Sequence, residues 1–239
     1  MIPATSIAEF VGAPRDGHPD RPWVMINMVA SVDGATAIAG ESRALSGPHD
    51  RDVFHALRGI ADVILAGAQT VRSDRYGPMR PRDGVREARR ARGQHPVAPI
   101  AVISRSLAFD WSSALFAEAE VPTILGAPSD CPPDALDAAR RVARVIADRP
   151  GDVDVAQFLG RLRQMGHRGV LCEGGPRLIG ELMAADLVDE IYVTISPLLV
   201  SGASDRAVVG PEFAPPRGLR LAGLMPIDDV VFLRYELMR

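Results

Sequence analysis

Residues 169–180 read Gly169-Val170-Leu171-Cys172-Glu173-Gly174-Gly175-Pro176-Arg177-Leu178-Ile179-Gly180. The first four have the length and apolar character of a buried strand; an acid, two glycines and a proline follow. Proline suits the first position of a helix, because its φ is already helical and its missing N–H has no partner there. The order therefore predicts a strand over 169–173 and a helix over 176–184. Gly174 and Gly175 let a ligand approach the backbone, and the free amides and positive dipole end of the helix favour an anion such as phosphate. An ordinary strand-to-helix turn shares this composition. Glu173 adds a functional pointer, since open α/β sheets present ligand-contacting groups at the carboxyl ends of their strands.

Outward from this junction the same alternation recurs. Trp23 to Ala30, Asp62 to Gly67, Pro99 to Ser104, Val121 to Leu125, Val145 to Ala147 and Glu190 to Ser196 read as strands. Between them, Pro48 to Ile60, Pro133 to Ala143 and residues 153–165 carry helical apolar spacing. Leu219 to Met225 and Val230 to Leu237 flank Pro226-Ile227-Asp228-Asp229 as an antiparallel hairpin. The fold class is thus α/β, with one mixed, mostly parallel sheet and an antiparallel C-terminal hairpin. Residues 1–22 form a Pro- and Gly-rich N-terminal extension, and 23–239 one domain.

The inventory excludes several chemistries. All 27 residues in the Lys+Arg count are arginines, so a lysyl Schiff base, a pyridoxal-phosphate anchor and a P-loop lysine are ruled out. A net charge of −3 gives no general reason to expect nucleic acid. Cys131 and Cys172 lack metal-ligand spacing, and His18, His49, His55, His95 and His167 form no HExxH pair, so no metal is expected. The first residues carry neither a basic leader nor a long apolar run, and no membrane span is legible; the expected location is the cytoplasm.

Further candidates lie at other strand ends. Gly67-Ala68-Gln69-Thr70-Val71 follows a buried strand, with Thr70 either a helix cap or a cofactor contact. Ser104-Arg105-Ser106 offers a hydroxyl and a guanidinium for the 2′-phosphate that separates NADP from NAD. Asp33-Gly34 reads as a turn. Asp50, in the first turn after Pro48, either complements the helix dipole or pairs with the N–H edge of a pyrimidine or pteridine. Arg58 either compensates the dipole at the helix end or faces a ligand. Arg80 to Arg92 reads as a solvated loop, or as an anion-binding flap. It lacks the interleaved aromatics that RNA binding by stacking would need.

Ala30-Ser31-Val32-Asp33-Gly34, the helix ending in Leu57-Arg58, Asp62 to Val71, and Glu173-Gly174-Gly175-Pro176 followed by Val188-Asp189-Glu190 together resemble the pyrimidine reductases of riboflavin biosynthesis, a family sharing the dihydrofolate reductase fold. The resemblance runs from about Trp23 to the final hairpin. It implies a three-layer αβα sandwich that uses NADPH to open and reduce the ribose of a phosphoribosylamino-pyrimidine. By position, Val29, Ala44, Thr70, Asp74, Ser104, Arg105, Gly174, Gly175, Pro176, Arg177, Leu178, Ile179, Gly180 and Glu181 would touch NADPH. Ser42, Asp50, Arg58 and Glu173 would face the substrate, and Asp74, Glu173 or water would supply the proton. A substrate phosphate would draw on Arg58, Arg75, Arg80 or Arg82. The family often carries a lysine where this chain reads Ile26-Asn27-Met28, a basic residue followed by Trp where it reads Arg43-Ala44, and Asp-Asp-Pro after the Thr-Val turn where it reads Ser73-Asp74-Arg75-Tyr76-Gly77-Pro78. Other readings are a dihydrofolate or pteridine reductase using Asp50, and a nucleotide-binding regulatory protein without turnover. The resemblance also implies a homodimer.

Overall fold

The strand Gly169–Cys172, with Glu173 just beyond it, occupies the centre of a nine-stranded sheet. The structure, a computed structural model, describes residues 3–238. In chain order the elements are α1 (Ile7–Val11), β1 (Trp23–Ser31), α2 (Pro48–Ile60), β2 (Val63–Gly67), α3 (Ala68–Ser73), α4 (Val85–Ala91), β3 (Ile100–Ile103), α5 (Ala114–Ala117) and β4 (Thr123–Gly126). Then come α6 (Pro133–Val142), β5 (Ala143–Ile146), α7 (Val155–Gln164), β6 (Gly169–Cys172), α8 (Pro176–Ala184), β7 (Glu190–Ser196), β8 (Leu219–Ile227) and β9 (Val230–Leu237). The strand order is β5-β4-β3-β2-β6-β1-β7-β9-β8. Pairings from β5 through to β7 are parallel, and β9 runs antiparallel to both β7 and β8. This is the mixed, mostly parallel sheet with an antiparallel C-terminal hairpin.

Strand alternation sorts the core into two layers, one on each side of the sheet. Val24, Ile26, Val63, Leu65, Val170 and Cys172 pack against α7 and α8 through Phe158, Leu159, Leu162, Ile179 and Leu182. Their neighbours Met25, Leu171 and Tyr192 face Phe10 of α1 and Val53, Leu57 and Ile60 of α2. Ile64, Ala66, Ile100 and Val102, on that same side, meet Val71, Leu115, Phe116, Leu136 and Ala139. Helices therefore cover both faces, giving three layers. No helix among the described residues is long and apolar enough to cross a membrane.

Three expectations change. Arg80 to Arg92 is a loop only as far as Gly84: Val85–Ala91 is helical, and Arg89 is fully buried. Arg89 Nη1 donates to the carbonyls of Gly59 and Ala61 at 3.2 and 2.6 Å, Arg92 Nη2 to Gly59 O at 2.8 Å, and Gln94 Nε2 to Ile60 O at 2.8 Å. The segment thus satisfies the carbonyls that the last turn of α2 leaves without intrahelical partners. Arg80, Arg82 and Arg86 are paired with Glu118, Asp52 and Glu120, so these arginines are already committed to carboxylates rather than held open as an anion flap. The strand expected at Val145 to Ala147 begins earlier, at Ala143, whose extended backbone ends α6. The segment read as an N-terminal extension packs onto the sheet: Phe10 lies edge-on to Tyr192, Arg15 pairs with Glu190, and Arg21 pairs with Asp189.

Candidate active site

Strand β6 enters the sheet between β1 and β2 although the chain has already built β3, β4 and β5 beyond β2. Such an order reversal opens a crevice beyond the carboxyl ends of the strands, the usual ligand position in open α/β sheets. Glu173 and the two glycines enter it directly from β6. The segments after β1 and β2 form its sides.

On the α2 side, Glu173 is buried and held by three hydrogen bonds. Arg58 Nε donates to Oε1 at 2.7 Å and Nη2 to Oε2 at 2.7 Å, a two-point fork. The Tyr76 hydroxyl donates to Oε2 at 2.8 Å. Arg58 is aimed by the capped end of α2, and its guanidinium carbon lies 4.1 Å from the centre of the Phe54 ring. Burial opposes the charge on Arg58, but the Glu173 carboxylate more than offsets this and raises its pKa. Burial, joined by the Glu173 charge, pushes the Tyr76 phenol well above its ordinary value, so it stays protonated and donates. Asn27 lies one residue past Ile26, the β1 partner of Cys172, on the α2 side of the sheet. Its Oδ1 is buried and has no hydrogen-bond partner among the described residues.

Nearby, Ser42 Oγ donates to Asp74 Oδ2 at 3.3 Å. Burial, with the Glu41 charge and against the Ser42 hydroxyl, raises the Asp74 carboxyl above its ordinary value. Asp50 is buried in the first turn of α2 and accepts from Ser46 Oγ. Eight residues separate it from Arg58, about 12 Å along the helix.

The α8 side is built of backbone. Gly175 is the N-cap and makes no side-chain cap bond, so the first-turn amides of α8 are left without a cap from any side chain. A Cβ on Gly175 would stand 2.8 Å from Thr70 Oγ1, and Gly174 has φ +108°, so both positions require glycine. Thr70 is not the cap of α3: that helix starts at Ala68, and Gly67 is its N-cap. A bare amide cradle beside a threonine hydroxyl fits the phosphates of a nucleotide cofactor.

The remaining candidates divide between surface and interior. Pro176 opens α8, Arg177 is exposed with no ion-pair partner among the described residues, Val29 is half-buried in β1, and Ala44 is exposed at the end of a 3-10 turn, Ser42–Ala44. Leu178 and Ile179 point their side chains into the core, and a Cβ on Gly180 would lie 2.1 Å from the Val209 carbonyl oxygen. Those three are packing positions. Ser104 is buried, and its Oγ accepts from the Leu107 amide at 3.0 Å. Arg105 is held by Asp152 at 2.8 Å and by Glu181 at 2.7 Å, so two carboxylates already surround the cation expected to receive a 2′-phosphate. Asp33 accepts from Ser31 Oγ at 2.5 Å, Val200 N at 3.2 Å and Ser201 N at 2.7 Å, tying the loop after β7 to the end of β1. Tyr76 and Asn27 were not singled out as site residues from sequence; the only signal was that each stands where the resembling family has another residue.

The family model described as the RibD C-terminal domain matches residues 22–233. A 2,5-diamino-6-ribosylamino-4(3H)-pyrimidinone 5′-phosphate reductase of Methanothermobacter thermautotrophicus is 33% identical over 192 residues, covering 80% of this chain and 85% of that protein. Among solved structures, a pyrimidine reductase-like protein from Corynebacterium diphtheriae superposes with a TM-score of 0.83 at 24% identity, over 92% of this chain and 93% of its own. Dihydrofolate reductase from Enterococcus faecalis superposes with a TM-score of 0.53 at 12% identity, over 91% of this chain and 97% of its own.

Proposed function

The chain belongs to the RibD C-terminal domain family, and from that premise we propose that it is an NADPH-dependent pyrimidine reductase of riboflavin biosynthesis. Its substrate is a phosphoribosylamino-pyrimidine, either the 2,5-diamino-pyrimidinone or its deaminated uracil form, whose ribose is opened and reduced to a ribityl chain. The observation that carries this reading is the placement, at one strand end, of a buried carboxylate beside an uncapped helix N-terminus.

NADPH would supply the hydride, and the protein's work is to align donor and acceptor and to manage one proton. The α8 amides with Gly174, Gly175 and Thr70 hold the cofactor's phosphates. Glu173, already accepting from a guanidinium, acts as an acceptor for a pyrimidine N–H, and Asn27 Oδ1 is a second acceptor on the same side of the sheet. Asp74 is the carboxyl suited to hold a proton, because burial raises its pKa. Of the four arginines considered for a substrate phosphate, Arg58, Arg80 and Arg82 are bound to carboxylates. Arg75 has no ion-pair partner among the described residues and stands between Asp74 and Tyr76, so it is our choice.

The naming of the relative as a pyrimidine reductase does not favour the dihydrofolate reading built on Asp50. Homodimer formation and a cytoplasmic location complete the proposal. The test is NADPH oxidation with the 2,5-diamino-pyrimidinone, its deaminated product and dihydrofolate. We expect turnover with at least one phosphoribosylamino-pyrimidine and none with dihydrofolate; failure with both pyrimidines overturns the reading.

A further inference from the structure

Tyr76 lies in the stretch Ser73 to Pro78, and its backbone is shaped to bring it into the site. Arg75, at φ +50°, turns the chain after α3, and the Tyr76 amide returns to the Val71 carbonyl at 3.0 Å. This directs the ring inward, where its hydroxyl reaches Glu173 Oε2 and its face lies 5.7 Å from the Arg58 guanidinium carbon. An ionised carboxylate has about four acceptor positions. Arg58 occupies one on each oxygen and Tyr76 a further one on Oε2, leaving one position on the buried Oε1 without a donor among the described residues.

We propose that Tyr76 is a positioning residue that locks the Glu173 carboxylate in a single orientation and leaves Oε1 to receive the pyrimidine. The proposal rests on the reductase reading above and adds to it how the substrate-facing acid is aimed. A fork from Arg58 alone lets the carboxylate and guanidinium swing together about their side chains. The phenol comes from a different segment and removes that freedom.

Tyr76→Phe is the direct test, because the ring and its packing on Arg58 stay while the hydroxyl goes. A hydrogen bond to a charged group, lost without leaving a cavity, predicts a fall of about tenfold in kcat/KM for the pyrimidine. The fall comes through KM for the pyrimidine, with KM for NADPH unchanged. Introduced into Glu173→Ala, which leaves the phenol no side-chain acceptor at that position, the same substitution has no further effect, since Tyr76 acts through that carboxylate. An equal loss in both backgrounds, or a weakened affinity for NADPH, overturns the proposal. Should the unaltered protein reduce neither pyrimidine, the reductase reading fails by itself. Crystals of Tyr76→Phe then decide the lock: a rotated or split Glu173 carboxylate supports it, and an unmoved one overturns it.

Discussion

The two sides of the crevice are built on opposite principles. Toward α2 the surface is made of side chains: Arg58, Tyr76 and Glu173 bond to one another in a buried set before any ligand arrives, leaving a position on Glu173 Oε1 and the Asn27 Oδ1 as spare acceptors. Toward α8 it is bare backbone, with glycines where a Cβ would intrude and amides that no side chain caps. A flat heterocycle with directional N–H groups is best read by acceptors held still, because a loose carboxylate loses alignment. A pyrophosphate is best met by many weak donors and an oriented dipole, which need no side chain at all. In the proposed reductase, specificity thus falls to the α2 side and phosphate anchoring to the α8 side.

The largest effect should come from opening the buried set. Arg58→Ala leaves the Glu173 carboxylate buried with the Tyr76 hydroxyl as its remaining partner. Breaking a buried ion pair from one side costs roughly 3–5 kcal/mol, and for a chain of this size we expect Tm to fall by on the order of 10 °C. Replacing both partners, Arg58→Met with Glu173→Leu, should restore most of the melting temperature while abolishing turnover. If the single substitution melts like the unaltered protein, the α2 side is not the preorganised surface described here.

The backbone side breaks differently. Gly175→Val sets a branched side chain against Thr70 at the mouth of α8, and we expect NADPH affinity to fall about a hundredfold or more, read by fluorescence titration. Part of the damage is crowding against Thr70, so Gly175→Ala combined with Thr70→Ala should regain thermal stability without regaining affinity. Recovery of both together would show that the cradle is not where the cofactor's phosphates lie.

The contrast also explains which parts of the molecule were legible in the sequence. The α8 side depends on local order: strand, two glycines and a helix-opening proline lie within eight residues, and Pro176–Ala184 forms as the sequence predicts. The α2 side depends on partners far apart in the chain. Tyr76 meets Glu173 across 97 positions, and no periodicity announces that contact. Arg89 lies in a run whose charge reads as solvated, yet it is buried because the end of α2 needs donors, a requirement set by tertiary packing. Arg105 looked like a phosphate ligand from its place after β3. Asp152 and Glu181, brought to it by the loop before α7 and by α8 itself, change its chemistry.

The smallest effect is expected where a side chain ties down backbone rather than another side chain. Asp33, at the end of β1, is fully exposed, and its carboxyl is lowered to about 2 by the Ser31 hydroxyl first and then by the Ser201 and Val200 amides. Its folded-state value lies below the roughly 3.9 of an unfolded aspartate, so its contribution is complete above that pH and disappears as the pH falls through about 2. Hydrogen exchange at Val200 and Ser201, corrected for intrinsic rates, should therefore stay equally slow from pH 7 to pH 4, persist near pH 3, and quicken only toward pH 2. Asp33→Ala should release both amides at every pH with little change in Tm, because solvent screens an exposed contact. Protection lost already near pH 5 would mean that the loop after β7 is held by something other than this carboxylate, and the rim would then belong with the backbone side of the crevice.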